Sequence, residues 1–290
     1  MSENGTPVRI RHFTDPGCPF AFSAERQRLR LHWLYGDQLD WSTHLVVLAE
    51  TPPTTFTPER VAGARRKLHE RYGMPIAWTP PPRRAATIDA CRAVVAARLR
   101  SEASCGPLLR RLRVLTFAGL ALDDPATLDR AATEAGLDPA ELHGWVAEPE
   151  VEAALRADMR AARSPSPASR AQDYKLGGPA EERRYTCPSY ELERTVPPPA
   201  DWPTANRVDL PGFRPVEAYE AAIANLAPEL TRRPDPESVD DVLAWAGMPI
   251  ATAEVAAVAD RPIPDVREAL SRTARFTPVG GDGYWSADAR

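Results

Sequence analysis

Cys18 is the residue of this sequence that is best placed to act as a nucleophile. It follows the turn sequence Thr14-Asp15-Pro16-Gly17 and precedes Pro19, the predicted first residue of a helix. The start of a helix carries partial positive charge and unpaired N–H groups, which stabilise a thiolate relative to a thiol. Because the thiolate is the reactive form of cysteine, this position predicts a lowered pKa and a reactive sulfur.

The other three cysteines are spread widely along the chain and form no C-x-x-C motif. With the five histidines scattered as well, we expect neither a metal site nor, in a reducing compartment, a disulfide scaffold. Cys91 lies on an apolar helical face and is predicted to be a core residue. Cys105 is placed in an interhelical turn and given no role. Cys187 precedes Pro188, where it is either a resolving thiol, half of a two-thiol metal or cluster site, or a small packing residue.

The elements that position Cys18 follow from the hydrophobic pattern. Val8–Phe13 alternates between apolar and polar residues and is predicted to be a strand. A helix over Phe20–Tyr35 ends before Gly36, and Leu39–Leu48 is predicted to be a second strand. The chain therefore opens with a β-α-β unit, and Cys18 lies between its first strand and its helix.

A block of predicted helices follows. Their ranges are Glu59–Tyr72, Ala85–Glu102, Leu108–Ala121, Pro125–Ala135, Pro139–Val146 and Pro149–Ala162. Asp124 and Asp138 each precede a proline and are predicted to cap the helices that begin there. Strand composition then returns at Arg184–Arg194, and a helix is predicted over Val216–Asn225. This order predicts an α/β sheet domain that is interrupted by a helical insertion.

The last stretch looks like a separate small module. Its predicted elements are the helices Val239–Trp245, Thr252–Ala259 and Pro264–Ala274 and a hairpin over Pro278–Trp285. This is the outline of a winged-helix module. From Thr231 to Arg290, however, seven arginines stand against ten acidic residues, a net charge of −3. DNA binding requires a basic face, so we expect a packing or interaction module.

The composition is that of a globular chain with modest charge. Hydrophobic residues make up 43% of the 290 residues, and the net charge is −4. This charge gives no reason to expect nucleic acid or a membrane surface as a partner. No stretch approaches the roughly 18 consecutive apolar residues of a membrane span. Met1–Pro7 lacks the layout of a signal peptide, so the sequence predicts a cytoplasmic protein.

The segment from Asp15 to Ala21, between a strand and a helix, resembles the active-site segment of the DsbA family. The helical insertion resembles the helical domain of that family, and Thr186-Cys187-Pro188 resembles its cis-proline loop. The likeness extends over roughly residues 8–226 and implies a thioredoxin fold in which the proline loop faces Cys18. We expect three parts: a thioredoxin-like domain (1–56 and 166–229), a helical insertion (57–165) and a winged-helix-like domain (230–290).

Ala21 departs from the family pattern, because disulfide oxidoreductases of this type carry a second cysteine there. The leading hypothesis is a thiol-dependent oxidoreductase that works through Cys18, with Cys187 or a low-molecular-weight thiol completing the cycle. Kappa-class glutathione transferases and 2-hydroxychromene-2-carboxylate isomerases are similar in layout, use one residue at this position and bind a thiol cofactor. A thiol-dependent isomerase or transferase is therefore one alternative, and a non-catalytic binding protein is another.

The expected binding residues lie around the two cysteines. His12 is predicted either to tune the pKa of Cys18 or to contact substrate, and the alternative is a histidine that is merely packed or solvated. Asp15 is predicted either to contact substrate or to tune the thiolate, and the alternative is a residue that only forms the turn. The substrate-binding set is predicted to be Pro19, Phe20, Asp15, His12, Thr186, Pro188 and Tyr190. No tightly bound cofactor is expected. The expected partners are small thiols or disulfides, with mycothiol or glutathione as the thiol, and a homodimer is left open.

Overall fold

The computed structural model describes residues 6–197 and 205–287. The strands are β1 (Val8–Thr14), β2 (Leu39–Leu45), β3 (Leu176–Gly177), β4 (Arg184–Tyr185), β5 (Ser189–Arg194), β6 (Arg207–Leu210), β7 (Ile250–Ala251), β8 (Ala274–Val279) and β9 (Asp282–Ala287). The helices are α1 (Pro19–Ser23), α2 (Glu25–Tyr35), α3 (Pro58–Tyr72), α4 (Ile88–Arg100), α5 (Glu102–Phe117), α6 (Pro125–Glu134), α7 (Pro139–Val146), α8 (Pro149–Ala162), α9 (Pro167–Arg170), α10 (Val216–Leu226), α11 (Val239–Ala246), α12 (Thr252–Ala259) and α13 (Ile263–Thr273). In the part of the chain described here, no helix combines the length and the apolar character needed to cross a bilayer.

The central sheet has the strand order β2-β1-β5-β6. β2 runs parallel to β1, whereas β5 is antiparallel to both β1 and β6. Val8 on β1 lies opposite Leu39 on one side and Arg194 on the other. The first half of this sheet thus comes from the opening β-α-β unit, and the second half is supplied after the helical block.

The helical block between β2 and β3 has a hydrophobic core of its own. Side chains of α4 to α8 build this core, and Leu45 and Val47 add to it from the end of β2 and the residues that follow. The predicted caps are confirmed: Asp124 accepts a hydrogen bond from the Ala126 N–H at 3.1 Å, and Asp138 accepts one from the Ala140 N–H at 2.7 Å. A capped helix start needs only local residues, so these boundaries were predictable.

Three local predictions need correction. The helix predicted to run unbroken from Phe20 is interrupted at Ala24, whose ψ of −6° departs from the helical value of about −42°. The strand predicted over Arg184–Arg194 is two strands, because the Cys187–Pro188 segment, with no N–H on its proline, separates β4 from β5. Cys105 lies inside α5 and is buried, so its placement in a turn was wrong.

The C-terminal segment contains three helices and a sheet of order β7-β9-β8. The winged-helix assignment of this segment stays a prediction. The segment itself does not pack as a separate module. One hydrophobic core contains side chains of β1, α2, β5 and α10 together with those of α11, α12, α13 and β9. Across this junction the Trp33 and Trp245 rings meet edge to face at 5.3 Å, and Arg30 donates to the carbonyls of Ala257 and Val258.

A buried ion cluster joins the three parts of the molecule. Arg110 of α5 donates two hydrogen bonds to Glu254 of α12, at 2.6 and 2.9 Å. One turn away, Arg113 pairs with Glu25 of α2 and donates to the hydroxyl of Thr14 in β1. All five side chains are buried, so each charge depends on its partner for the stabilisation that water would otherwise provide.

Glu254→Gln is therefore expected to destabilise the fold strongly, since it leaves the buried Arg110 guanidinium without its closest carboxylate. We expect the free energy of unfolding, measured by urea denaturation, to fall by about 3 to 5 kcal/mol. The matched control is Glu134→Gln, which breaks the exposed pair with Arg130 and is expected to cost less than about 1 kcal/mol. Equal losses in the two variants would contradict the importance of the buried pair.

Candidate functional site

The two predicted catalytic cysteines lie in contact. Cys18 occupies the N-cap position of α1, with Pro19 as the first helical residue, and its own N–H donates to the carbonyl of Asp15 at 3.2 Å. The Cys18 Sγ lies 3.3 Å from the carbonyl oxygen of Cys187. The Cys187–Pro188 peptide is cis, as the resemblance implied. The fold therefore brings together two cysteines that are far apart in sequence.

Their surroundings favour Cys18 as the thiolate of the pair. A hydrogen bond from Cys187 lowers the pKa of Cys18, and the N–H groups of Ala21 and Phe20 at the start of α1 add to this effect. Burial and the nearby Asp15 carboxyl act in the opposite direction without cancelling it. Burial raises the pKa of Cys187 well above its ordinary value, as does the neighbouring Cys18. These opposite shifts make Cys18 the more acidic thiol of the pair and favour a protonated Cys187 beside it.

Asp15 is fully buried and has a structural task. Its carboxyl accepts hydrogen bonds from the N–H of Gly17 at 2.7 Å, the N–H of Leu48 at 2.8 Å and the hydroxyl of Thr87 at 2.8 Å. Burial raises the pKa of this carboxyl, while these donors oppose the shift. The side chain forms the turn and fastens it to neighbouring segments, so direct contact with a substrate, as predicted for it, does not fit this geometry.

His12 and Tyr190 are also interior residues. Their rings stack at 4.7 Å with an angle of 5° between the planes, and both are buried. Burial, with help from Arg113 and Arg28, lowers the pKa of His12 well below its ordinary value, so the ring is neutral. A substrate could reach neither ring without displacing core residues, and their predicted role in substrate binding finds no support in this placement.

The remaining predicted binding residues lie closer to the surface around Cys18. Phe20 is 45% exposed and meets the ring of Tyr72 edge to face. Pro19 is half-buried, and Pro188 is buried in the loop opposite. Thr186 is half-buried, but its hydroxyl already donates to the carbonyl of Lys175 at 2.8 Å. Pro19 and Phe20 are therefore the members of this group that a substrate can touch most readily.

Beside the Cys18 turn lies a groove of about 540 Å³, here called the active-site groove. Its lining includes Gly17 and Pro19, the two neighbours of Cys18 in sequence. Its other walls include Leu48, Phe56, Arg60, Arg65, Arg84, Thr87, Phe117 and Leu120. Sequence reasoning missed these wall residues because they come from separate segments. The proline clusters around residues 51–53 and 79–82 were the one available signal, since both contribute to the wall.

The other cysteines are not candidates for chemistry. Burial raises the pKa of Cys105 to about 11 and that of Cys91 well above its ordinary value. Cys91 is buried in the core of the helical insertion, which confirms its predicted role. Within residues 6–197 and 205–287, no group of three or more His, Cys, Asp and Glu side chains is arranged to hold a metal ion.

Replacing Cys187 should change the acidity of Cys18. In Cys187→Ala the sulfur of Cys18 loses one hydrogen-bond donor, and we expect its pKa to rise toward that of an ordinary cysteine. Cys187→Ser keeps a hydrogen-bond donor, so the pKa of Cys18 should rise less in that variant. The pKa of Cys18 is measured from the rate of its alkylation by iodoacetamide as a function of pH, with the modified cysteine identified by mass spectrometry. Buried Cys91 and Cys105 serve as internal controls. A midpoint for the unaltered protein at or above about 8.5 would contradict the assignment.

Two crystal structures share this architecture. A protein assigned as a protein disulfide isomerase from Nitrosomonas europaea is 16% identical; the match covers 77% of this chain and 98% of that one, with a TM-score of 0.56. A protein assigned as a DsbA oxidoreductase from Streptomyces coelicolor is 18% identical; the match covers 78% of this chain and 93% of that one, with a TM-score of 0.53. At these identities the likeness concerns the fold. None of the curated proteins matches this chain.

A family model described as the DSBA-like thioredoxin domain matches residues 9–166, more than half of the chain. The matched segment begins in β1, includes the turn that carries Cys18 and continues through the helical insertion to the end of α8. With the two structural likenesses, this confirms the predicted fold class, a thioredoxin fold with an all-helical insertion. The chain belongs to the family of DSBA-like thioredoxin domains.

Proposed function

We propose that this protein is a thiol-dependent oxidoreductase that exchanges disulfides through Cys18. The observation that carries the proposal is the placement of the Cys18 sulfur, at the N-cap of α1 and beside the side chain of Cys187 on the cis-proline loop. The same surroundings lower the pKa of Cys18, so a larger fraction of it is thiolate at neutral pH. The proposal places the reaction in the cytoplasm, where small thiols keep protein cysteines reduced.

The reaction proceeds in two exchanges. The Cys18 thiolate attacks one sulfur of the substrate disulfide, forming a mixed disulfide while the other sulfur leaves as a thiolate. Cys187 then gives its proton to that leaving thiolate and attacks the Cys18 sulfur. The second substrate thiolate leaves, and a Cys18–Cys187 disulfide closes. The substrate disulfide gains two electrons and the cysteine pair loses the same two.

Regeneration requires a thiol from outside the chain. Two molecules of a low-molecular-weight thiol, such as mycothiol or glutathione, reduce the Cys18–Cys187 disulfide and become a disulfide themselves. The same class of thiol can also act earlier, by attacking the mixed disulfide directly. Ala21, where related oxidoreductases carry a second cysteine, cannot take part. Cys187 is the protein thiol whose position supports the resolving role, because its side chain lies close enough to Cys18 to lower the pKa of that cysteine.

Cys18→Ser and Cys187→Ala separate the two steps. Reduced protein is mixed with a model disulfide, and both the released thiol and the protein mass are measured. We expect the unaltered protein to release two thiols and lose two hydrogens. Cys187→Ala should release one thiol and keep the other as an adduct on Cys18 until a small thiol is added. Cys18→Ser should lose at least about 1,000-fold in rate, since serine is not nucleophilic at its ordinary pKa.

Other results would favour other functions. Full release of both thiols by Cys187→Ala without added thiol would contradict the resolving role of Cys187. A Cys18→Ser variant that keeps appreciable activity with a bound thiol cofactor would instead support an isomerase or transferase. If Cys18 in the folded protein does not react with disulfides at all, the chain is a binding protein that retains an enzyme fold.

A further inference from the structure

The active-site groove has an unusual charge composition for a chain that is acidic overall. Three arginines line it, Arg60, Arg65 and Arg84, and no carboxylate is among its lining residues. The whole chain, by contrast, has a net charge of −4. The groove walls are therefore a local region of positive charge, and this region ends at the turn that carries Cys18.

Arg65 places one of these charges in the floor of the groove. It is 8% exposed, and its guanidinium donates to the backbone carbonyls of Ala77, Thr79 and Thr116 at 3.2 to 3.4 Å. In the described part of the chain no carboxylate lies within ion-pair distance of it. Carbonyl oxygens satisfy its hydrogen bonds but do not neutralise its charge. A buried cation of this kind attracts an anion that enters the groove.

Arg60 and Arg84 supply two exposed charges to the lining of the groove. Arg60 lies on the first turn of α3, and Arg84 lies on the segment that leads to α4. Neither side chain pairs with an acidic residue of the regions that the structure describes. The neighbouring Arg83, in contrast, is held by a bidentate pair with Asp123 and does not line the groove. Arg60 and Arg84 are thus available to a ligand.

The rest of the wall is largely apolar. Leu48, Phe56, Phe117 and Leu120 line it, and Leu48 is one of the large hydrophobic side chains that remain exposed. A ligand that fits this surface combines a hydrophobic body with at least one negative group. Because the lining includes Gly17 and Pro19, the two neighbours of Cys18, a ligand in the groove lies beside the turn that carries Cys18.

We infer that the substrate is a small disulfide or thiol that carries an anionic group, which Arg60 and Arg84 bind while its apolar part lies in the active-site groove. This inference rests on the proposed function, since it names the substrate class of the same site. Arg65 ties the backbone around the groove together through its hydrogen bonds to three carbonyl groups. Its positive charge attracts the ligand without direct contact. The arginines thereby favour anionic ligands, and Cys18 carries out the reaction at sulfur.

The test compares two aromatic disulfides, dithiobis(nitrobenzoate), which carries carboxylates, and dithiodipyridine, which is neutral. Release of the aromatic thiol from each gives the rate constant for attack by Cys18, with Cys18→Ser as the blank. In the double variant Arg60→Gln/Arg84→Gln we expect the rate with the anionic reagent to fall about fivefold to tenfold. The rate with the neutral reagent should change by less than about twofold, which also shows that the fold is intact.

The matched control removes two charges from the same helix outside the groove. In Arg66→Gln/Lys67→Gln both altered residues are exposed and neither lines the groove, so the rate with either reagent should be preserved. Raising the salt concentration should reduce the preference for the anionic reagent in the unaltered protein, because exposed charges are screened. Equal effects of the two double variants would overturn the inference and leave the proposed function standing. Failure of Cys18 to react with either reagent would overturn both.

Discussion

The buried carboxyl of Asp15 connects the parts of the molecule that meet at Cys18. Three of its donors come from the turn before Cys18, from the residues after β2 and from the residue before α4, so one side chain joins the sheet to the helical insertion. Gly17 is needed beside it, since a Cβ there would lie 2.8 Å from the Thr87 side chain. A side chain at this position would push the turn and Thr87 apart, and both Gly17 and Thr87 line the active-site groove.

The same carboxyl makes the reactivity of Cys18 a balance of opposing effects. Its nearby negative charge and the burial of the sulfur both disfavour a thiolate. The N–H groups at the start of α1 and the hydrogen bond from Cys187 favour it, and they prevail. Cys187 therefore has two tasks in the proposed reaction: it stabilises the attacking thiolate and later resolves the mixed disulfide. One thiol suits both because its own pKa is raised, so it holds its proton until the first exchange.

Electrostatics acts differently in the interior and in the groove. The buried arginines Arg110 and Arg113 are matched by Glu254 and Glu25. The first pair fastens the C-terminal segment to α5, and the second joins α5 to α2. The groove arginines have no acidic partner among the residues that the structure describes, so their charge can act on a ligand in the groove. The C-terminal helices thus serve as packing elements that share a core with the sheet, in keeping with their net negative charge.

The sequence by itself determined the local features: strand β1, the caps at Asp124 and Asp138, and the position of Cys18 at a helix start. These depend on residues within a few positions of each other, where alternation, capping and proline act directly. Resemblance extended this to the fold and to the loop with Cys187. Only the tertiary structure decided that Asp15 and His12 are interior, that the C-terminal segment shares the core and that three arginines line one groove. Those outcomes depend on contacts between residues distant in sequence, which no local pattern records.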